Sequence, residues 1–446
     1  MSDTILTSIL LCGLSLVVTL MVLRSSGLSL GLPFAYLSSL HLQHVPGAYA
    51  HLARPDLFAT TPYVATGIWQ TAIGSLCFVA GLLVSRYRAR SNRRNPRFPP
   101  TDAISAKTAT AEPFWRFCLI GGWVFVYGLS PLREIPSLGA LIEKGAAIWM
   151  LGVMLGLRNA VARSRLKSIV IWLSALAVYP SLGLLLGGFL SYGSAAAMIV
   201  VSVLVVSVRR TPRILVGIVV ATIIGLSIFV NYFIARDQIR SVTWSGASFG
   251  DRVDTVIDAF SQFSIIDISD DKHAESLDQR LNQNYFIGLA ADRLDNGFVG
   301  FRQGASFYEA LIAPIPRALW PDKPVFGGSG TIVRDMTGLN LSETTSWGVG
   351  QVMEFYINFG WWSLVLGFAA LGWLIGQLDI KAAAAERRGD IRILLICFLP
   401  AVALVQPIGS LVELAGGGLS AYFAAIGWSH VWTMWANRRR RRAATP

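Results

Sequence analysis

Tyr63–Arg97 reads YVATGIWQTAIGSLCFVAGLLVSRYRARSNRRNPR. No charged side chain interrupts Tyr63–Val84, and an arginine-crowded run then begins at Arg86. About 20 apolar residues wound as helix cover the roughly 30 Å of hydrocarbon in a bilayer. Lipid offers no partner to an open strand edge, so this segment is predicted to be a transmembrane helix with a basic end held in the cytoplasm.

The pattern recurs on both sides of it. Apolar runs lie at Ile5–Leu23, Phe114–Ser130, Leu138–Leu157, Ser168–Gly187, Phe189–Val208 and Ile214–Ile234, and then at Gly350–Gly376, Ile391–Val412 and Gly417–Trp435. Leu28–Val45, with Pro33, His41 and His44, reads as either an eleventh span or a re-entrant segment. Composition agrees: 53% of residues are hydrophobic and only 14% charged, and the mean hydropathy is +0.54. A soluble chain of this length needs more charge to cover its surface. The expected fold is all-α, a polytopic bundle of about eleven spans.

Further basic clusters sit at Arg158–Lys167, Arg209–Arg213, Lys381–Arg392 and Arg438–Arg442. Counted back from a cytoplasmic C-terminus, all of them fall on the cytoplasmic side. The long segment Ala235–Val349 then falls outside, between the eighth and ninth spans, and it holds fifteen acidic against ten basic residues. The chain divides into N-terminal transmembrane helices (1–234), a large outer loop (235–349), and C-terminal helices with a basic tail (350–446). Basic loops facing anionic lipid account for the net charge of +12 without nucleic acid. The first apolar run lacks a basic leader and a small-residue cleavage site, so no cleavable signal peptide is expected. Cys12, Cys77, Cys118 and Cys397 all fall inside spans, with no metal spacing and no disulfide expected. His41, His44 and His51 lack a nearby acidic or cysteine ligand and read as interfacial or packing histidines. Glu143–Lys144 and Arg133–Glu134 read as interfacial anchors.

Loops of more than a hundred residues are rare in a compact bundle unless they act. Arg252–Phe263 places Val253, Val256, Ile257, Phe260 and Phe263 at helical spacing, as an amphipathic interfacial helix does. A second amphipathic helix is expected at Leu281–Leu294, with Asp267–Asp278 between them as an exposed turn of solvated acids. Further on, Arg280, Arg293, Arg302, Arg317, Lys323 and Arg334 thread an aromatic, glycine- and proline-rich stretch. The prolines of Ala313–Gly328 (APIPRALWPDKPVFGG) exclude helix and predict a rigid irregular segment presenting Arg317, Asp322 and Lys323. Trp320 offers a flat face that stacks on sugars or sits at the lipid interface. Guanidinium groups bind phosphates bidentately. Together they fit a lipid-linked, phosphate-bearing, sugar-containing ligand. Glu354 falls just inside the following span, where a carboxylate is expensive without a partner; it either pairs for packing or faces an internal cavity.

Three stretches carry a resemblance: Pro316–Pro324 (PRALWPDKP), Ser346–Gly350 (SWGVG) and Glu354–Gly360 (EFYINFG). In these, and in a late large loop among many spans, the chain resembles the Wzy-type repeat-unit polymerases of O-antigen and exopolysaccharide synthesis. The local likeness covers Ser306–Gly360 and the topology covers the whole chain. The family often carries an arginine at the outer turn after the span corresponding to Ser168–Gly187. Here that turn is uncharged, GGFLSYGS (Gly187–Ser194), and Arg236 or Arg240 is the substitute at hand.

The resemblance implies a GT-C-like, metal-independent, inverting glycosyltransferase in the bacterial inner membrane, without a cofactor. Its loop is then periplasmic and its substrate an undecaprenyl-diphosphate-linked oligosaccharide. A chain-length-regulating co-polymerase is the protein partner it implies. Fixed cations stabilise a leaving diphosphate, and Arg280, Arg317, Lys323 and Arg334 are the candidates. Glu354, then Glu309, are the candidates for accepting the acceptor hydroxyl's proton. Asp270–Asp271 keeps a metal-binding alternative open. An O-antigen ligase shares the topology and the arginines, but PRALWPDKP and EFYINFG favour the polymerase. A flippase of lipid-linked sugars is disfavoured by the absence of an internal repeat and of midplane charge.

Overall fold

The computed structural model describes all residues except 94–111, 130, 133–134, 136–137, 164, 189–190, 208–210, 262, 316–319, 325–327, 342–346 and 445–446. The described residues contain helices and no strand. In chain order the helices are α1 (Ser2–Ser26), α2 (Leu32–Leu42), α3 (Val45–Ala53), α4 (Thr61–Arg93), α5 (Glu112–Trp123, continued by a π-helical turn Val124–Gly128) and α6 (Leu138–Gly145). Next come α7 (Ile148–Ala162), α8 (Leu166–Gly187), α9 (Ser191–Ser207) and α10 (Thr211–Trp244). The long loop carries α11 (Phe249–Ser261), α12 (Asp271–Arg280), α13 (Asn284–Asp295), α14 (Ala305–Ile312) and α15 (Ser329–Thr337). The chain closes with α16 (Gln351–Phe359), α17 (Trp361–Arg388), α18 (Ile391–Leu404) and α19 (Leu411–Ala444).

Among the described residues, seven segments are long and apolar enough to cross a membrane: Ser2–Ser26, Thr61–Tyr87, Leu138–Val161, Leu166–Leu185, Val219–Trp244, Trp361–Arg388 and Leu411–Arg439. Ala196–Val206 and Ile391–Leu404 are shorter apolar helices. This is a helical, membrane-embedded architecture. Several apolar runs are divided where the sequence alone suggests continuity. Leu28–Val45, expected as a span or a re-entrant segment, is not one span-length helix: Gly31 takes a left-handed conformation, Pro33 opens α2, and Pro46 opens α3. The run Gly350–Gly376 is split at Gly360, whose φ of 61° and ψ of −138° end α16 before α17 begins. The run Ile391–Val412 stops at Leu404, and α19 starts anew at Leu411.

The tightest seam joins α4 to α17 and α13. Glycines recur on α4 every seventh residue at Gly67, Gly74 and Gly81, one face of a helix. A Cβ on Gly81 would lie 1.9 Å from the Ala369 carbonyl oxygen, and one on Gly372 would lie 2.1 Å from that of Phe78. Only glycine on both helices lets these backbones approach so closely, which is how helices associate where no hydrophobic effect drives them together. Farther along, a Cβ on Gly67 would meet the Asn284 carbonyl oxygen at 2.2 Å, so α13 is seated on the same stripe.

One end of the bundle is held by charge. Arg86 on α4 pairs with the fully buried Asp379 on α17, and also donates to the Leu28 carbonyl. Asp379 further accepts from Ser29 Oγ (2.7 Å), Leu30 N (2.9 Å) and Leu32 N (3.3 Å), and so supplies the N-terminus of α2 with an acceptor. Arg158 pairs with Glu386, and Arg387 donates to the Gly27 carbonyl. Three of the five basic clusters therefore open at this basic end.

Because the Arg86–Asp379 pair is buried, removing one partner strands the other charge. Asp379→Ala is expected to lower stability by about 3–5 kcal/mol, read as an earlier midpoint when the solubilised protein is unfolded in SDS. An unchanged midpoint would show that the pair does not hold this end together.

Candidate functional site

At the opposite end of the bundle, parts of the long loop are built into the helices. The segment between α12 and α13 bonds to the turn between α2 and α3: Gly47 N donates to the Leu281 carbonyl and Gln283 N to the Gln43 carbonyl, both at 3.0 Å. The polar run expected as an exposed turn, Asp267–Asp278, is mostly the helix α12, and the second amphipathic helix starts only at Asn284. Asp270 caps α12 by accepting from His273 N at 3.1 Å, and that bond holds its carboxylate below the usual range. His273, Ala274 and Leu277 point inward. Its acids are not merely solvated, since Asp271 pairs with Arg54 at 2.8 Å and Asp278 with His51 at 2.8 Å. His41, His44 and His51 are all buried, on Ser75, Asn284 and Asp278 respectively. They take the packing role rather than the interfacial one. The first amphipathic helix lies at α11, shifted to Phe249–Ser261, with no buried residue.

Folding α12 in this way brings Arg280, its last residue, against α10. Arg236, Arg240 and Arg280 form one cationic cluster. The Arg280 guanidinium lies 5.4 Å from the Phe233 ring and 5.5 Å from the Trp347 ring, and that of Arg236 lies 4.5 Å over Phe233. Burial, then the charges of Arg236 and Arg240, hold the Arg280 guanidinium below its ordinary pKa, although arginine stays cationic at physiological pH. Arg236 donates from Nε to Asp237 at 3.0 Å, while its buried Nη1 meets no hydrogen-bond partner among the described residues. Arg240 Nε reaches the Gly188 carbonyl at 3.4 Å, an oxygen that also accepts from Tyr232 Oη at 2.8 Å. An arginine of α10 thus reaches the Gly188 carbonyl at the end of α8.

A second polar cluster surrounds Glu354 on α16. Its side chain is fully buried, and Oε2 accepts from Leu411 N, the first residue of α19, at 2.7 Å. Oε1 has no hydrogen-bond partner among the described residues. Arg302, Glu309 and Glu413 are the charged groups that face it, and Arg302 and Glu309 pair with each other at 2.7 Å. The Arg302–Gly304 loop is clamped to the end of α16: Arg302 N donates to the Ile357 carbonyl at 2.8 Å, and Gly304 N to Asn358 Oδ1 at 3.1 Å. Gln351 donates to the Gln406 carbonyl at 2.6 Å and accepts from the buried Tyr36 hydroxyl. Gln351, Glu354 and Asn358 follow helical spacing on one face of an apolar stretch. That periodicity is visible in the sequence.

The remaining candidates sit elsewhere. Lys323 Nζ donates to the Ala313 (2.8 Å) and Ile315 (3.0 Å) carbonyls and so closes its own loop, next to a half-buried Trp320. Arg334 donates to Thr331 Oγ1 on its own helix at 3.2 Å. Arg317 lies outside the described residues. Trp347 joins the two clusters along the chain, because Gly348–Gly350 leads from it directly into α16.

The arrangement offers a cationic, aromatic-walled surface for an anion and a buried carboxylate with one oxygen unengaged. Compared with known proteins, the chain matches no family model, no curated protein and no solved structure.

Glu354 also has a structural duty at the start of α19, and the two duties separate by substitution. Glu354→Ala leaves the Leu411 N–H without an acceptor and is expected to cost about 1–3 kcal/mol. Glu354→Gln keeps an acceptor oxygen and should retain most of that stability. Equal unfolding midpoints for wild type and Glu354→Ala would remove the cap from Glu354.

Proposed function

We propose that this chain is a membrane glycosyltransferase of the repeat-unit polymerase type. On this reading it joins undecaprenyl-diphosphate-linked oligosaccharides at the periplasmic face of the bacterial inner membrane, in O-antigen or exopolysaccharide synthesis. The basic end faces the cytoplasm and Ala235–Val349 faces the periplasm. The observation that carries the reading is the presence, at the end opposite the basic collars, of both the Arg236–Arg240–Arg280 cluster and a buried Glu354 with one oxygen that meets no hydrogen-bond partner among the described residues.

In the proposed step an acceptor sugar hydroxyl attacks the anomeric carbon of the donor glycan. The new C–O bond forms as the bond to the carrier diphosphate breaks, and that electron pair leaves on the diphosphate. Arg280, with Arg236 and Arg240, stabilises the charge that develops there. Glu354 Oε1 takes the hydroxyl proton. Phe233 and Trp347 fix the Arg280 guanidinium, so it need not reorganise as charge builds.

The test is mass spectrometry of lipid-linked glycans, with a surface-glycan gel, in cells lacking the protein. Accumulation of single repeat units with no long polymer is expected. Complementation with Arg280→Ala or Glu354→Gln should leave polymer reduced by about 10²–10³-fold at normal protein level. Long polymer retained on its carrier would instead identify a ligase, and unchanged lipid-linked glycans would overturn the reading.

A further inference from the structure

A groove of about 600 Å³ runs between α5 and α19, lined in part by Phe117, Trp428 and Trp435. The rings of Phe117 and Trp428 meet edge to face at 5.5 Å. Gly121 sets the depth of this aromatic floor, since a Cβ there would lie 2.5 Å from the Trp428 ring. Ile120 and Val124, 65% and 51% exposed, form the outer wall, so the groove opens toward the surroundings of the bundle. Arg116 and Arg439 stand in the lining, both exposed, with the Arg439 guanidinium 4.5 Å over the Trp435 ring.

The position of the groove separates it from the site above. Arg439 belongs to the C-terminal basic run of α19, while Glu354 bonds the first residue of that helix, at its far end. Arg116 lies near the start of α5, whose Trp115 and Cys118 pack on Gly152 of α7, less than two turns before the Arg158–Glu386 pair. The two arginines are therefore at the basic end.

We propose that this groove holds one anionic phospholipid of the leaflet at the basic end. Its acyl chains would lie along Phe117, Ile120 and Val124, and its headgroup phosphate between Arg116 and Arg439. The occupant follows from charge and shape together. Two guanidinium groups match phosphate oxygens, and basic pockets between helices select anionic headgroups. An apolar, aromatic-floored channel beside them is satisfied by hydrocarbon and not by a free anion. A zwitterionic lipid brings the same phosphate but adds a cation facing two arginines, so it is the weaker ligand.

The experiment is native mass spectrometry of the full-length, delipidated protein titrated with phosphatidylglycerol, phosphatidylcholine or inorganic phosphate. One phosphatidylglycerol should be retained, about tenfold more tightly than phosphatidylcholine. The double variant Arg116→Gln/Arg439→Gln should bring it down to the phosphatidylcholine level. Ile120→Trp, at an exposed wall position, should weaken both lipids by filling the groove. Equal binding of the two lipids to wild type would overturn the proposal. So would undiminished phosphatidylglycerol on the double variant, or its displacement by inorganic phosphate. None of these readouts uses glycan chemistry, so they stand apart from the proposed transferase activity.

Discussion

Inside a bilayer every backbone N–H and C=O must find its partner within the protein. This chain breaks its helices repeatedly, at Gly31, at Gly360 and between Leu404 and Leu411, and each break exposes helix-end groups. Two carboxylates distant in sequence answer that need. Asp379 receives the amides at the start of α2, and Glu354 the first amide of α19. Arg86 neutralises the first of these and closes the basic end. Among the described residues the second has no directly bonded cation, and one of its oxygens meets no hydrogen-bond partner. Both oxygens of the Asp379 carboxylate are engaged, whereas Glu354, among the described residues, engages only one of its two.

The glycine stripe on α4 converts this local satisfaction into a global position. Gly81 and Gly372 draw α4 and α17 together, and Gly67 with Gly288 draws α13 onto the other end of α4. A Cβ on Gly288 would meet the Tyr63 carbonyl oxygen at 1.9 Å, so side chains larger than hydrogen would push α13 outward. With α13 fixed, the Leu281–Gln283 link fixes α12, and Arg280 at its end has one place to go. Backbone contact on α4 thus sets the position of a guanidinium carried by a loop.

Much of this was legible in the residues. Uncharged runs such as Tyr63–Val84 announce their helices, and the collars beginning at Arg86, Arg158 and Lys381 gather at one end as their composition suggests. Glu354 is marked by the cost of a carboxylate in an apolar run, whereas Arg280 is marked by its cationic, aromatic-rich stretch and Arg236 and Arg240 only by the family resemblance. What was not legible depends on partners far away in sequence. Asp267–Asp278 looks like a solvated turn because its helix is held by Arg54, His51 and the Asp270 cap, the first two more than 200 residues earlier. The division of Gly350–Gly376 is invisible to hydropathy, because Gly360 interrupts the backbone without interrupting the apolar run. The seven-residue spacing of Gly67, Gly74 and Gly81 was present in the sequence, but glycine is common throughout this chain and only the α17 backbone gives that spacing meaning.

The three-arginine cluster costs stability in the free protein. Arg236 and Arg240 each disfavour the charge on Arg280, and burial disfavours it further. Phe233 and Trp347 return part of that cost through their ring faces. Asp237 relieves Arg280 only in part, for it is 84% exposed and pairs with Arg236 instead. A packing role alone is met more cheaply by apolar residues of similar volume. A polyanion seated among the three guanidinium groups would offset their mutual repulsion and the cost of burial. The unfavourable electrostatics of the free cluster are thus the counterpart of affinity for a bound anion, which on the proposed function is the leaving diphosphate.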